Sequence, residues 1–273
     1  AFINTGLSSA QKTQKTANVT GTFGACRLYG SADIYNCRYF LFQLWFVTCS
    51  TDYHAEYNRA RKALLRINMS VNLPINIEQV KGFLAEDEAN ALYQHSLILS
   101  EKAPVLEIGS YCGKSTIYIG TACKNTGGVL YALDHHRGSE EHQIGEEYHD
   151  SALYDSSVEQ VDTFKEFRKN IRAADLENTV IPLVTTSQLA SRGWATPLSM
   201  VFIDGGHSME AAMTDYRSWA SHIISGGVLA IHDLFPNPDE GGQAPISIYR
   251  LALASGLFEE IEVVNTLGLL RRV

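Results

Sequence analysis

From residue 74 onward two hydrophobic rhythms alternate along the chain. Short apolar runs bounded by turn residues recur at 104–109 (PVLEIG), 129–134 (VLYALD), 180–184 (VIPLV), 199–205 (SMVFIDG) and 227–233 (GVLAIHD). Near-continuous apolarity is what a strand buried on both faces requires. Between these runs the period is helical. Ile77–Leu84 and Glu86–Lys102 predict two helices leading into the domain, and Ser115–Lys124 predicts a third. Ser157 and Gln160 have capping-box spacing, and Val161, Phe164, Phe167 and Ile171 follow on one helical face. Ala212, Tyr216, Trp219 and Ile223 repeat that pattern, with Gly226-Gly227 expected to stop it. Strand–helix alternation predicts a doubly wound, mostly parallel α/β sheet with right-handed crossovers. The end of the chain breaks the rhythm: FEEIEVVN (258–265) and LGLLRRV (267–273) are strand-like and almost contiguous. Only an antiparallel hairpin can join two strands so tightly, giving seven strands in all.

Charge divides the chain. Residues 1–68 carry a net +5 and residues 69–273 a net −13, for −8 overall. An acidic main domain is repelled by a phosphate backbone, which argues against a nucleic-acid partner. No run approaches the ~18 apolar residues of a membrane span; the longest, Tyr39–Val47, is too short. The cysteines at 26, 37, 49, 112 and 123 match neither a zinc motif nor a disulfide framework, so a reduced, cytoplasmic setting is expected. The first methionine is Met69, where regular patterning begins. Residues 1–68 read as an N-terminal extension, as upstream sequence ahead of a start at Met69, or as a transit peptide that lacks arginine over its first 24 residues. The predicted catalytic domain is 69–273.

The densest chemistry lies in VLEIGSYCGKST. Gly109-Ser-Tyr-Cys-Gly113-Lys-Ser115 has three residues between its glycines, where a triphosphate-binding loop has four. It also lacks the middle glycine of a dinucleotide fingerprint. Glu107, two residues before Gly109, would repel phosphate and attract an ammonium group. Asp134 ends the next strand, where an acid takes ribose hydroxyls in nucleotide-binding α/β folds. A ligand with a ribose, a cation and no phosphate suits both acids, and S-adenosylmethionine is such a ligand.

This loop, Asp134 and the final antiparallel strands together resemble the class I S-adenosylmethionine-dependent methyltransferases, a Rossmann-like fold. The resemblance is to their catechol O-methyltransferase-like group and covers roughly 74–273. It implies that Glu107, Tyr111 and Ser115 contact the methionine end, with Gly109 and Gly113 giving it room. Asp134 would take the ribose, and Ser187 and Gln188 the adenine side. Lys114, with no phosphate to bind, is expected on the surface. Gly205 and Gly206 stand where the group has bulkier residues walling the cofactor.

In that group an Asp after the fourth strand and an Asp-Asn pair after the fifth hold Mg²⁺. Here the places are taken by Asp204, which also borders the cofactor, and by His232-Asp233. Two carboxylates and an imidazole suit Mg²⁺ or Mn²⁺, and Fe²⁺ or Zn²⁺ as well. The group's general-base lysine corresponds to His207, a residue able to take a proton near neutral pH. The loop at 134–150 holds four of the nine histidines and reads as a solvated loop, a substrate lid or a secondary metal site. Methyl transfer to a small-molecule hydroxyl is therefore expected, with no nucleic-acid or membrane partner and with homo-oligomerisation left open. The competing class is a nucleotide-binding α/β module, either a hydrolase or a non-catalytic scaffold.

Overall fold

A computed structural model of the chain describes residues 71–146 and 149–273. The expectations for 1–68 and for a start at Met69 lie outside the described residues. A seven-stranded sheet forms the centre. Its strands are β1 (Val105–Ile108), β2 (Leu130–Asp134), β5 (Val180–Val184), β6 (Leu198–Ile203), β7 (Ile223–Ile231), β8 (Phe258–Val264) and β9 (Leu267–Arg272). Their spatial order is β5-β2-β1-β6-β7-β9-β8. The first five are parallel to one another, while β9 runs antiparallel between β7 and β8. The short β3 (Tyr154–Asp155) and β4 (Gln160–Val161) form a separate hairpin.

Helices cover both faces. On one side lie α1 (Glu86–Leu99), α2 (Lys114–Thr126) and α3 (Phe164–Ala173), whose Leu92, Leu99, Ile117, Ile119, Phe167 and Ile171 share a core with β1 and β2. On the other lie α4 (Ser187–Ala190), α5 (Met209–Trp219) and α6 (Ala244–Ala254). There Trp219, Ile248 and Ala252 pack on the opposite faces of the same strands. Burial from both sides explains why every residue of β1 and β6 is buried, and why their sequences run apolar without alternation.

Four segments differ from expectation. Of 77–84 only Ile77–Gln79 is helical, a 3-10 turn capped by Asn76. Ser157 opens no helix: its N–H and hydroxyl both bond the Asp155 carboxylate within the β3–β4 hairpin. The helix begins at Phe164, whose N–H is accepted by Asp162 Oδ1 at 2.9 Å. The apolar face of α5 ends at Trp219, and Ile223 and Gly226-Gly227 belong to β7. Gly227 is needed there because a Cβ would meet the Ser199 carbonyl on the neighbouring strand. Finally, α6 was not anticipated; Pro245 in its first turn was its available start signal.

One close approach fixes the site's frame. Gly109 has φ +90°, and a Cβ there would run into the carbonyl oxygen of Asp204 at the end of β6. Gly127, which ends α2 at φ +74°, faces open space. Gly127→Ala should therefore cost only the left-handed strain, about 1–2 kcal/mol. Gly109→Ala adds a steric overlap and should cost on the order of 3 kcal/mol or more. Urea melts of the two variants check this; equal losses would remove the constraint at Gly109.

Candidate active site

Backbone bonds set the site residues in a row along one edge of the sheet. Gly109 N donates to Leu133 O at 2.9 Å, Asp204 N to Ile108 O at 2.9 Å, and His232 N to Ile203 O at 3.1 Å. The ladder thus carries each strand one residue beyond its end and delivers Gly109, Asp204 and His232 side by side. This carboxyl edge is where parallel α/β sheets bind ligands.

Two clefts open there. One, of about 630 Å³, is lined by Gly109, Tyr111, Asp134, Ser187, Gln188 and Asp204, all of them expected from sequence. Asp134 is committed to shaping the glycine loop: Oδ2 accepts from Tyr111 N at 2.8 Å and Oδ1 from His136 N at 2.7 Å. Tyr111 sits at φ +46° to make that turn. Ser187 Oγ accepts from Trp219 Nε1 at 2.6 Å. Gly113, at φ +93°, starts α2 and lies outside the cleft lining, with Phe167 packed beneath it.

Glu107 lies fully buried beneath the loop rather than in either cleft wall. Its oxygens accept from Ser115 Oγ and Thr116 Oγ1, each at 2.5 Å. Burial pushes its pKa up to about 7 despite those donors, and the Asp204 charge pushes the same way. The group is a carboxylate without a cation.

The second cleft, of about 670 Å³, shares Gly109, Tyr111, Asp204 and His207 with the first, and Phe83 and Phe235 stand in its wall. Ser115 also reaches it. Lys114 is half-buried rather than a free surface lysine, its Nζ 3.4 Å from Gly82 O. Ser139 and His142 of the 134–150 loop border both clefts, and Glu146 borders the second.

Where the clefts meet, charge is concentrated. His207 Nε2 is 3.0 Å from Asp233 Oδ2. His232 Nδ1 is 3.1 Å from Asp204 Oδ1 and 3.4 Å from Asp233 Oδ1. Asp204, His232 and Asp233 each offer a ligand atom within 4.8 Å of the others, so the expected metal set does converge. Burial opposes the charged form of His232, but Asp204, Asp233 and Glu88 together hold its pKa up at about 12. Asp233, at φ +58°, is kept well below the usual carboxylate range by His207 and His232, against the pull of its own burial.

Two participants escaped sequence reasoning. Glu88 on α1 is buried, and its Oε2 lies 2.9 Å from His232 Nε2. Its signal was an acid on the helix face shared with Leu92 and Leu99. Asp215 lines the first cleft from α5, and burial raises its pKa to about 6 despite Ser187.

Residues 106–234, just under half of the chain, match a family model described as a methyltransferase domain. Among solved structures, the O-methyltransferase NovP aligns with TM-score 0.53 and 15% identity, over 69% of this chain and 81% of that one. A protein assigned as a caffeoyl-CoA O-methyltransferase from Staphylococcus aureus aligns with TM-score 0.52 and 10% identity, over 78% and 99%. At such identities the structural likenesses speak for the fold.

Glu107 generates a pH prediction. Its folded pKa of about 7 stands above the reference 4.5. The stability tied to its neutral form is thus complete below about pH 4.5 and lost as pH rises through about 7. Glu107→Gln cannot ionise, and the Ser115 and Thr116 hydroxyls can turn to suit an amide. The ligand-free variant should therefore melt higher than the parent at pH 8, by up to about 3 kcal/mol, with the gap closing towards pH 4.5. A gap independent of pH would refute the assignment.

Proposed function

We propose, on the premise that this chain belongs to the methyltransferase-domain family as a class I S-adenosylmethionine-dependent methyltransferase of the catechol O-methyltransferase-like group, that it methylates a hydroxyl oxygen of a small molecule with the help of Mg²⁺ or Mn²⁺. The observation that carries this reading is the meeting of two clefts at Asp204, His207 and Asp233. The first cleft suits the cofactor and the second the acceptor.

In the cofactor cleft, Tyr111 addresses the methionine end, Asp134 offers the ribose the lone pairs that its bonds to Tyr111 N and His136 N leave over, and Ser187 and Gln188 take the adenine side. Gly109 and Gly113 keep the loop thin. Ser115 presents Glu107, whose buried carboxylate a ligand ammonium group would neutralise. That acid beneath the loop disfavours a phosphate ligand, hence the nucleotide-hydrolase alternative. Among the described residues no helix is long and apolar enough to cross a membrane.

In the acceptor cleft, Asp204, His232 and Asp233 would hold the divalent cation. Bound there, such an ion orients an acceptor oxygen and lowers its pKa. His207 receives the acceptor's proton. Asp233, on its Nε2, turns the imidazole and stabilises its charged form, as a carboxylate does for a catalytic histidine.

Binding tests the first half. S-adenosylhomocysteine should bind the full chain and residues 69–273 alike. Glu107→Ala or Asp134→Ala should weaken it about 10- to 150-fold, the loss of a charge-assisted hydrogen bond. Calorimetry showing parental affinity in both variants removes those roles; weak binding by 69–273 alone moves the domain boundary.

Turnover tests the second half. Asp204→Asn and Asp233→Asn should abolish methyl transfer, as should chelation, while S-adenosylhomocysteine affinity stays near parental. His207→Ala should slow turnover by ~10²–10⁴. Full activity in chelator sinks the metal role, and near-parental turnover in His207→Ala sinks the base.

A further inference from the structure

The first cleft holds a buried carboxyl group that the chemistry proposed above does not use. Asp215, on α5, is only 5% exposed, and it lines the cleft together with Ser187 and Gln188. Trp219 follows it one turn later on the same helix, and Ser187 Oγ bridges the two. That oxygen accepts from Trp219 Nε1 at 2.6 Å, and the Ser187 hydroxyl hydrogen-bonds the Asp215 carboxylate. Burial raises the pKa of Asp215 to about 6, and among the described residues only Ser187 opposes the rise. At pH 8 the group is an ionised acceptor at the edge of a ligand-sized cleft.

Hydrogen-bond direction makes this end of the cleft rich in acceptors. An ionised carboxylate can only accept. Ser187 has a single proton, and with Trp219 donating to its oxygen that proton goes to Asp215. Ser187 therefore keeps a lone pair for a ligand but no donor. Gly205 completes the arrangement. A Cβ there would lie 2.9 Å from Asp215 Oδ2, so a side chain would push that oxygen aside. Gly205 has no positive φ to call for glycine; what its missing side chain supplies is room for the carboxylate.

We propose that Asp215 is a specificity-determining residue, which selects adenine by accepting a hydrogen bond from its exocyclic amine. This rests on the cofactor cleft proposed above, with Ser187 and Gln188 at its adenine side. Once adenine is joined to ribose, the amine is the only hydrogen-bond donor the base has. Its ring nitrogens are acceptors and would meet Asp215 with like polarity. A purine without the amine leaves the buried carboxylate unpaired where water is excluded. A site built to hydrogen-bond one group rejects the analogue lacking it more strongly than an apolar wall can.

Calorimetry on the full chain at pH 8, without added metal, decides. It compares S-adenosylhomocysteine with its 6-deamino analogue, in which hydrogen replaces the amine. The parent should prefer the amine-bearing ligand about 10- to 150-fold, the worth of a charge-assisted hydrogen bond. In Asp215→Asn the acceptor is neutral, and the preference should fall about tenfold. Gly205→Ala, which moves the carboxylate but keeps its charge, should lower the preference as well. A purely structural role would weaken both ligands by the same factor and leave the preference intact. Parental preference in Asp215→Asn therefore overturns the inference, as does a parent that binds both ligands equally. If Asp215→Asn does not fold, parental preference in Gly205→Ala overturns it. A parent that binds neither ligand brings down the cofactor reading, and the inference with it.

Discussion

The site depends on a run of buried charge: Glu88, His232 and then Asp204 and Asp233, with His207 at its outer end. No member is affordable alone. Desolvating one ion costs several kcal/mol, and an unpaired survivor of a broken buried pair typically costs 3–5 kcal/mol. Together they satisfy one another and tie α1, the ends of β6 and β7, and the β8–β9 turn into one unit. The element before the glycine loop and the hairpin after the last crossover are thereby joined to the chemistry between them. A second bridge repeats the link, with His95 Nε2 on α1 3.0 Å from Glu262 Oε1 on β8.

Beside this run, Glu107 is the opposite case. It is as deeply buried, but its partners are hydroxyls rather than a cation, and its pKa rises where that of Glu88 falls. The contrast separates two uses of a buried acid. Glu88 completes a structure that is already neutralised, whereas Glu107 keeps an unmet demand for positive charge beneath a thin loop.

The centre of the sheet was legible because burial on both faces leaves a continuous apolar signature, complete in β1 and β6, whereas the edge strands β5 and β8 are largely unburied and showed only as short strand-like runs between turn residues. Helix ends were less so. Ser157 has the residue type and spacing of a cap, yet Asp155 claims its hydrogen bonds and makes a hairpin instead. Gly226-Gly227 looked like a stop because glycine more often ends a helix than serves a strand crossed closely by its neighbour. Among site residues, those at strand ends were found, since topology sets them at one edge. Glu88 was not, because its partners lie 144 and 178 residues away and only folding brings them together.

The two outer strands of the sheet have a bearing on the protein's behaviour at high concentration. An uncovered strand edge is a template on which a second chain can add, and it is the usual seed of aggregation. One edge here is β5, which exposes Ile181 and Val184 but carries Pro182 at its centre. A proline fits an edge strand only with its ring nitrogen on the open side, where it withholds the donor an incoming strand would need. The other edge, β8, is set with Glu259, Glu260 and Glu262, so a second copy would bring like charge against like. One border is closed by a missing hydrogen and the other by repulsion, so that among the described residues the sheet has seven strands and neither outer one invites another.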